Sequence, residues 1–148
     1  MRKFEVVSKY QEQGVQIPKR QTEHSAGYDL ASIEEIVIQP GEIKMIPTGL
    51  KVELPGDEAL FVFPRSSLGI KKQLMMSNSV GVVDADYYNN PNNEGHIMVP
   101  LFNFGNQVTT IEKGERVAQG IFMTYKKTED DDTEGILRVG GFGSSGHK

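Results

Sequence analysis

A chain of 148 residues has the size of one compact domain, long enough to bury most of the surface that its unfolded form exposes. Its 37% hydrophobic content contains no long apolar run, which excludes a transmembrane helix, and a net charge of −4 argues against a surface built to grip nucleic acid. The lack of cysteine removes disulfides, thiolate metal sites and thiol nucleophiles, and the start MRKFEVVSKYQEQG has no apolar signal stretch, so the expected compartment is the cytoplasm.

SAGYDLAS offers one carboxylate, Asp29, beside a glycine and a tyrosine. Magnesium keeps several waters and takes one or two carboxylates plus substrate phosphates, so a lone aspartate suffices; a turn residue is the other reading. From Glu34 to Arg65, Ile36/Ile38, Ile43/Met45, Leu50/Val52/Leu54 and Phe61/Phe63 alternate with other residues between the breaks Pro40-Gly41 and Pro55-Gly56. Period-two spacing with frequent Gly and Pro predicts short strands of a sandwich or barrel. FPRSSLGI then places Arg65, Ser66 and Ser67 at the start of SSLGIKKQLMMS, a stretch that reads as a short amphipathic helix through Leu68, Lys71, Lys72, Leu74 and Met75. Free N–H groups at such a start favour an anion; an ordinary cap beside a surface arginine explains the residues equally.

NSVGVVDADYYNN carries an apolar run into Asp84, Asp86, Tyr87 and Tyr88. A carboxylate ending a strand pair can orient or deprotonate a water, or it can open a hairpin turn. YNNPNNEGH reads as a loop, and HIMVPLFNFGNQVTTIEKGERVAQGIFMTY returns to strand texture. An uninterrupted strand would put Arg116 and Gln119 on opposite faces, unless a bulge at Gly120 or the strand end intervened. The acidic KKTEDDDTEG reads as a solvated linker, dividing a domain over 1–128 from a linker and glycine-rich segment over 129–148. RVGGFGSSG resembles phosphate-wrapping glycine loops, without the lysine of a P-loop; a Gly/Ser tail has the same composition. Arg65, Arg116 and Arg138 all lie in or beside these stretches, so an acidic protein retains local positions for a polyphosphate ligand.

In order, AGYDLAS, PRSSLG, GVVDADYY, RVAQGIF and GGFGSSG resemble the five motifs of the trimeric deoxyuridine triphosphatase (dUTPase) family, from Ala26 to Gly146. The resemblance implies an all-β fold, a distorted barrel or jelly-roll of β-clip type with one short helix and a flexible C-terminal arm. It implies hydrolysis of dUTP to dUMP and pyrophosphate by a homotrimer whose active sites are shared between subunits, with no nucleic-acid or membrane partner. Carried over by motif, Asp84 holds the water that attacks the α-phosphorus, and Asp29 anchors, through water, an Mg²⁺ ion on the three phosphates. Arg65, Ser66, Ser67, Gln119 and Arg116 bind phosphate, and Tyr87 lies against the deoxyribose. The strand pair from Asn78 through Gly81, Val82 and Val83 to Asp84, returning through Met98, reads uracil by its backbone. Arg138, Phe142, Gly143, Ser144 and Ser145 belong to a lid in which Phe142 stacks on the base.

Three features depart from the family pattern: Arg138 sits one residue nearer the phenylalanine than usual, the loop 88–95 is longer, and Ala31 replaces the arginine often found after Asp29-Leu30. That loop is a candidate contact surface for a protein partner, and a nucleotide sensor without catalysis is the rival from another class. The deoxycytidine triphosphate deaminase branch of the fold needs a glutamate where this chain has Pro100, which cannot carry a proton.

Overall fold

Among the described residues, 1–138 of this computed structural model, the expected alternation resolves into eleven strands. They are β1 (Lys3–Val6), β2 (Tyr28–Ala31), β3 (Ile36–Ile38), β4 (Ile43–Pro47), β5 (Leu50–Glu53), β6 (Glu58–Pro64), β7 (Leu74–Met76), β8 (Gly81–Asp84), β9 (Met98–Asn103), β10 (Thr109–Ile111) and β11 (Arg116–Thr124). Pro40-Gly41 and Pro55-Gly56 separate β3 from β4 and β5 from β6, as their turn chemistry predicts, with Gly41 at a φ of 78° that a side chain would resist. No helix among the described residues is long and apolar enough to cross a membrane.

All ladders are antiparallel. One sheet runs β2-β11-β6-β8 and another β4-β9-β7, with β1–β5 and β10–β3 as two-stranded ladders. Among the described residues these sheets do not close on one another, so the jelly-roll is open rather than a closed barrel. Leu30, Ile38, Ile46, Leu60, Val99, Leu101 and Ile111, all fully buried, fill the space between the sheets. Phe4, Tyr28 and Phe122 meet pairwise with ring centroids 5.7 Å apart and join β1, β2 and β11.

Two expectations change in detail. The stretch read as a helix through Met75 is a short turn, α-type at Ser66 and Ser67 and π-type over Leu68–Lys72, which stops at Gln73 in the left-handed region (φ 55°). Leu74 and Met76 are buried while Met75 is 45% exposed, a period-two pattern that suits pairing with β9. That pairing outweighs a weak helix containing Gly69. Conversely, Ile43 and Met45 face outward while Ile46 is buried, and Phe61 and Phe63 are half-buried while Leu60 and Val62 are buried. Both faces of these strands are apolar, so alternation alone does not say which one meets the core.

His96 links the loop after β8 to the turn before β5: its Nε2 accepts the Gly49 N–H at 2.9 Å, and its ring lies 5.2 Å from that of Tyr10. Burial, helped by nearby Lys9, pushes the imidazolium down from the ordinary 6.5 to about 4. Between these values the unfolded chain binds a proton that the folded chain does not, so stability falls as pH falls from 6.5 towards 4. Urea unfolding at fixed protein concentration should show wild type losing about 2 kcal/mol more than His96→Gln between pH 7 and pH 4.5, a figure reduced for the partial exposure of the ring. Parallel losses in the two proteins would remove His96 as the cause.

Candidate active site

The sequence predicts that the strand holding Asn78 to Asp84 returns through Met98. The structure separates the two: among the described residues, β8 pairs with β6, whereas β9 pairs with β4 and β7. Register explains the gap. β7 reaches only as far as Met76↔Leu101, so Met98 and Val99 run past its end while the far edge of β8 carries no ladder. A cavity of about 260 Å³ opens there, floored by Val62 and Met76 and lined by Asn78, Gly81, Val82, Val83, Asp84, Tyr87, Met98 and Arg138. Every one of these last eight is a residue that the family resemblance singled out, and Ile97 completes the lining. The volume and the apolar floor suit a flat heterocycle, and backbone groups outside the ladders can read its polar edge.

Asp84 ends β8 at the cavity wall with its side chain 50% exposed. Arg138 Nη2 donates to Asp84 Oδ2 at 2.6 Å and its Nε to Asp86 Oδ1 at 2.8 Å, so one guanidinium bridges two carboxylates. Asp86 foremost, then Asp84, stabilises the charge on Arg138. Tyr87 follows in a 3-10 turn, Ala85–Tyr87, and is only 8% exposed. Burial pushes its phenol above the ordinary tyrosine value.

A second cluster lies at the opposite edge of the same sheet. β11 bulges at Val117, where the register passes from Arg116↔Ala31 to Ala118↔Leu30. The extra residue brings Arg116 to the face of Gln119, whose cross-strand partner is Asp29, and Arg116 Nη1 meets Asp29 Oδ2 at 3.2 Å. The bulge is thus at Val117, not at Gly120, and the two side chains share a face. Arg65 follows β6 and reaches the Arg116 carbonyl at 3.5 Å; Ser66 is exposed and Ser67 half-buried. Of the two hydroxyls that the sequence offers as a cap, Ser66 and Ser67, that of Ser67 makes no capping bond among the described residues. Gly27 leaves room for the Gln119 carboxamide, which a Cβ there would displace.

Asp29 is the one group of this cluster suited to a metal, and among the described residues no three His, Asp or Glu converge on a common point. Such a donor set fits magnesium held mainly by water and substrate phosphate rather than by a protein cage. The two clusters do not meet within one chain. Asp29 and Asp84 stand three strand spacings apart, at about 4.8 Å each, and four residues apart along the strands, at about 3.3 Å each, which amounts to roughly 20 Å.

Phe142, Gly143, Ser144 and Ser145 lie outside the described residues. Sequence reading gave no role in the site to Gly27, Asp86 or Asn93. The paired acids of VVDADY signal Asp86, and Asn93 reaches Tyr87 within its own Asn-rich loop, whereas the contact of Gly27 with Gln119 is tertiary and leaves no local signature.

Fold and cavity define the class first: an all-β jelly-roll of the β-clip kind, with a small-molecule pocket at the open edge of a sheet. The dUTPase family model matches residues 13–146, and the chain belongs to that family. A deoxyuridine 5'-triphosphate nucleotidohydrolase of Lactococcus lactis subsp. lactis (strain IL1403) is 53% identical over 147 residues, covering 99% of this chain and 98% of the relative. One from Rickettsia akari (strain Hartford) is 42% identical, with 88% of each chain covered. Among solved structures, the dUTPase from Streptococcus mutans superposes with a TM-score of 0.82 at 46% identity, over 86% of this chain and 98% of that one. A mutant dUTPase from phage phi11 of S. aureus, in which a structural Mg(II) ion is coordinated, shares the fold with a TM-score of 0.74 at 20% identity, over 92% of this chain and 98% of that one.

Proposed function

We propose that this chain is a dUTP nucleotidohydrolase, releasing dUMP and pyrophosphate through attack of water on the α-phosphorus. The observation that carries the reading is the cavity between β8 and β9 with a carboxylate at its wall, in a chain that belongs to the dUTPase family. Backbone groups of Gly81 to Val83 and Met98 hold the uracil edge, and Tyr87 walls the sugar. Asp84 holds a water and takes its proton as the water oxygen bonds to phosphorus and the bond from phosphorus to the bridging oxygen breaks. Arg138 fixes the carboxylate it grips. The glycine-rich segment, with Phe142 over the base and Ser144 and Ser145 on phosphate, closes the site against bulk water.

Arg65, Ser66, Ser67, Arg116 and Gln119 bind the phosphates, and Asp29 holds the hydration shell of Mg²⁺. When bound, that ion neutralises phosphate charge and orients the chain of phosphates. Because the Asp29 and Asp84 clusters stand roughly 20 Å apart in one chain, a single nucleotide engages both only if they come from different copies. The assembly proposed is a homotrimer with shared sites, as the resemblance to the dUTPase family implies. The outward apolar row Ile43, Phe102 and Met75, aligned across β4, β9 and β7, suits burial between copies.

Incubation of the purified protein and Mg²⁺ with dUTP, UTP, dTTP and dCTP, with pyrophosphate as readout, tests the assignment. Release from dUTP should exceed that from UTP or dTTP by about a hundredfold or more. A uracil product from dCTP would mark a deaminase instead, and tight dUTP binding without product would mark a sensor.

A further inference from the structure

The long loop after Tyr87 directs its internal hydrogen bonds back onto that residue. Asn93 Nδ2 donates to the phenol oxygen at 2.8 Å, and the phenol in turn donates to the His96 carbonyl at 2.9 Å. At the other end of the residue, Asn90 Nδ2 donates to the Tyr87 carbonyl at 2.7 Å and to Asn93 Oδ1 at 2.8 Å. Gly95, at a φ of 90°, closes on the same carbonyl so tightly that a Cβ would sit 2.7 Å from it. Ring tip and backbone are therefore both gripped from the loop.

The loop itself is anchored to the rest of the fold. Lys51 on β5, only 8% exposed, donates to Asn89 Oδ1 at 2.6 Å and Glu94 Oε2 at 2.7 Å. Glu94 also accepts the N–H and hydroxyl of Ser8. Asn90 is 5% exposed and accepts the N–H groups of Asn92 and Asn93. This is a rigid strut between β5 and one side chain of the cavity.

Stiffness matters at that place because rejecting a ribose means rejecting one added hydroxyl, and a wall that yields by about 1 Å would admit it. A ring held only by packing can tilt; a phenol with a donor and an acceptor partner at fixed directions cannot do so without breaking a hydrogen bond. We propose that Asn93, supported by Asn90, is a positioning residue that makes Tyr87 a rigid wall and thereby sets the preference for deoxyribose over ribose. The proposal rests on the reading of Tyr87 as the sugar-facing wall.

Asn93→Asp tests it, since the aspartate keeps the shape and the acceptor for Asn90 and for the Gly95 N–H but offers the phenol only an acceptor, so the single phenol proton can serve the carboxylate only by leaving the His96 carbonyl and the ring loses its paired donor and acceptor. Tyr87→Phe removes the same bond from the other side, which keeps the test available should the first variant fail to fold. kcat and KM are measured with dUTP and with UTP for both variants and the double variant. Each single change should lower the dUTP-over-UTP ratio of kcat/KM about tenfold, mainly through better use of UTP, and the double should lower it no further. An unchanged ratio, or equal slowing of both nucleotides, would overturn the positioning role. Tyr87→Ala separates the two levels: if it retains discrimination, the sugar-wall reading itself fails; if it loses discrimination while Asn93→Asp retains it, only the role of Asn93 fails.

Discussion

Asp84→Asn should lower kcat for dUTP about a thousandfold while KM stays within about threefold. The amide has the size of the carboxylate, so the cavity keeps its shape, but it cannot take a proton from the attacking water. It also weakens one partner of Arg138, whose other partner, Asp86, remains at 2.8 Å. Asp86→Asn separates the two effects, because it loosens Arg138 and leaves the carboxylate at 84. Its kcat should fall by no more than about tenfold. Steady-state kinetics with pyrophosphate detection measures both variants. A rate for Asp84→Asn within tenfold of wild type would show that position 84 does not activate the nucleophile.

Two inactive variants should restore activity when assembled together. Asp29→Asn lacks the group for the hydrated ion, and Asp84→Asn lacks the group for the water. Within one chain the two positions lie at opposite edges of the β2-β11-β6-β8 sheet, roughly 20 Å apart. If each site takes Asp84 from one copy and Asp29 from another, random mixed assembly at equal ratio gives about one-quarter of sites with both carboxylates intact. Co-refolded mixture should therefore recover about a quarter of wild-type kcat, whereas each parent refolded alone stays inactive. A mixture as inactive as its parents would show that the sites are not shared in this way.

The five stretches were legible in the sequence because each concentrates unusual residue types in a short run. Asn78, Gly81, Val82, Val83, Asp84, Tyr87, Met98 and Arg138 do line one cavity. The strands were legible as well, since their apolar spacing and their Pro-Gly breaks are local. The course of Leu74 to Met76 was not: KKQLMM has the composition of a helix, and only pairing with Asn103, Phe102 and Leu101 of β9 makes it a strand. Nor was the face of Arg116, which depends on one unpaired residue, Val117, opposite β2.

By itself, the sequence determined the strand-rich architecture, the order of the motifs and the identity of the chemical groups, because residue type and spacing along the chain survive any folding. Only the tertiary structure decided that β8 and β9 part to leave a cavity, that Arg116 shares a face with Asp29 and Gln119, that Asn93 braces Tyr87, and that Asp29 and Asp84 stand far apart. Apart from the Asn93 brace, which forms within one loop, each of these depends on register between segments distant in the chain. A shift of one residue there reverses every side chain of a strand, and nothing in the local sequence records it.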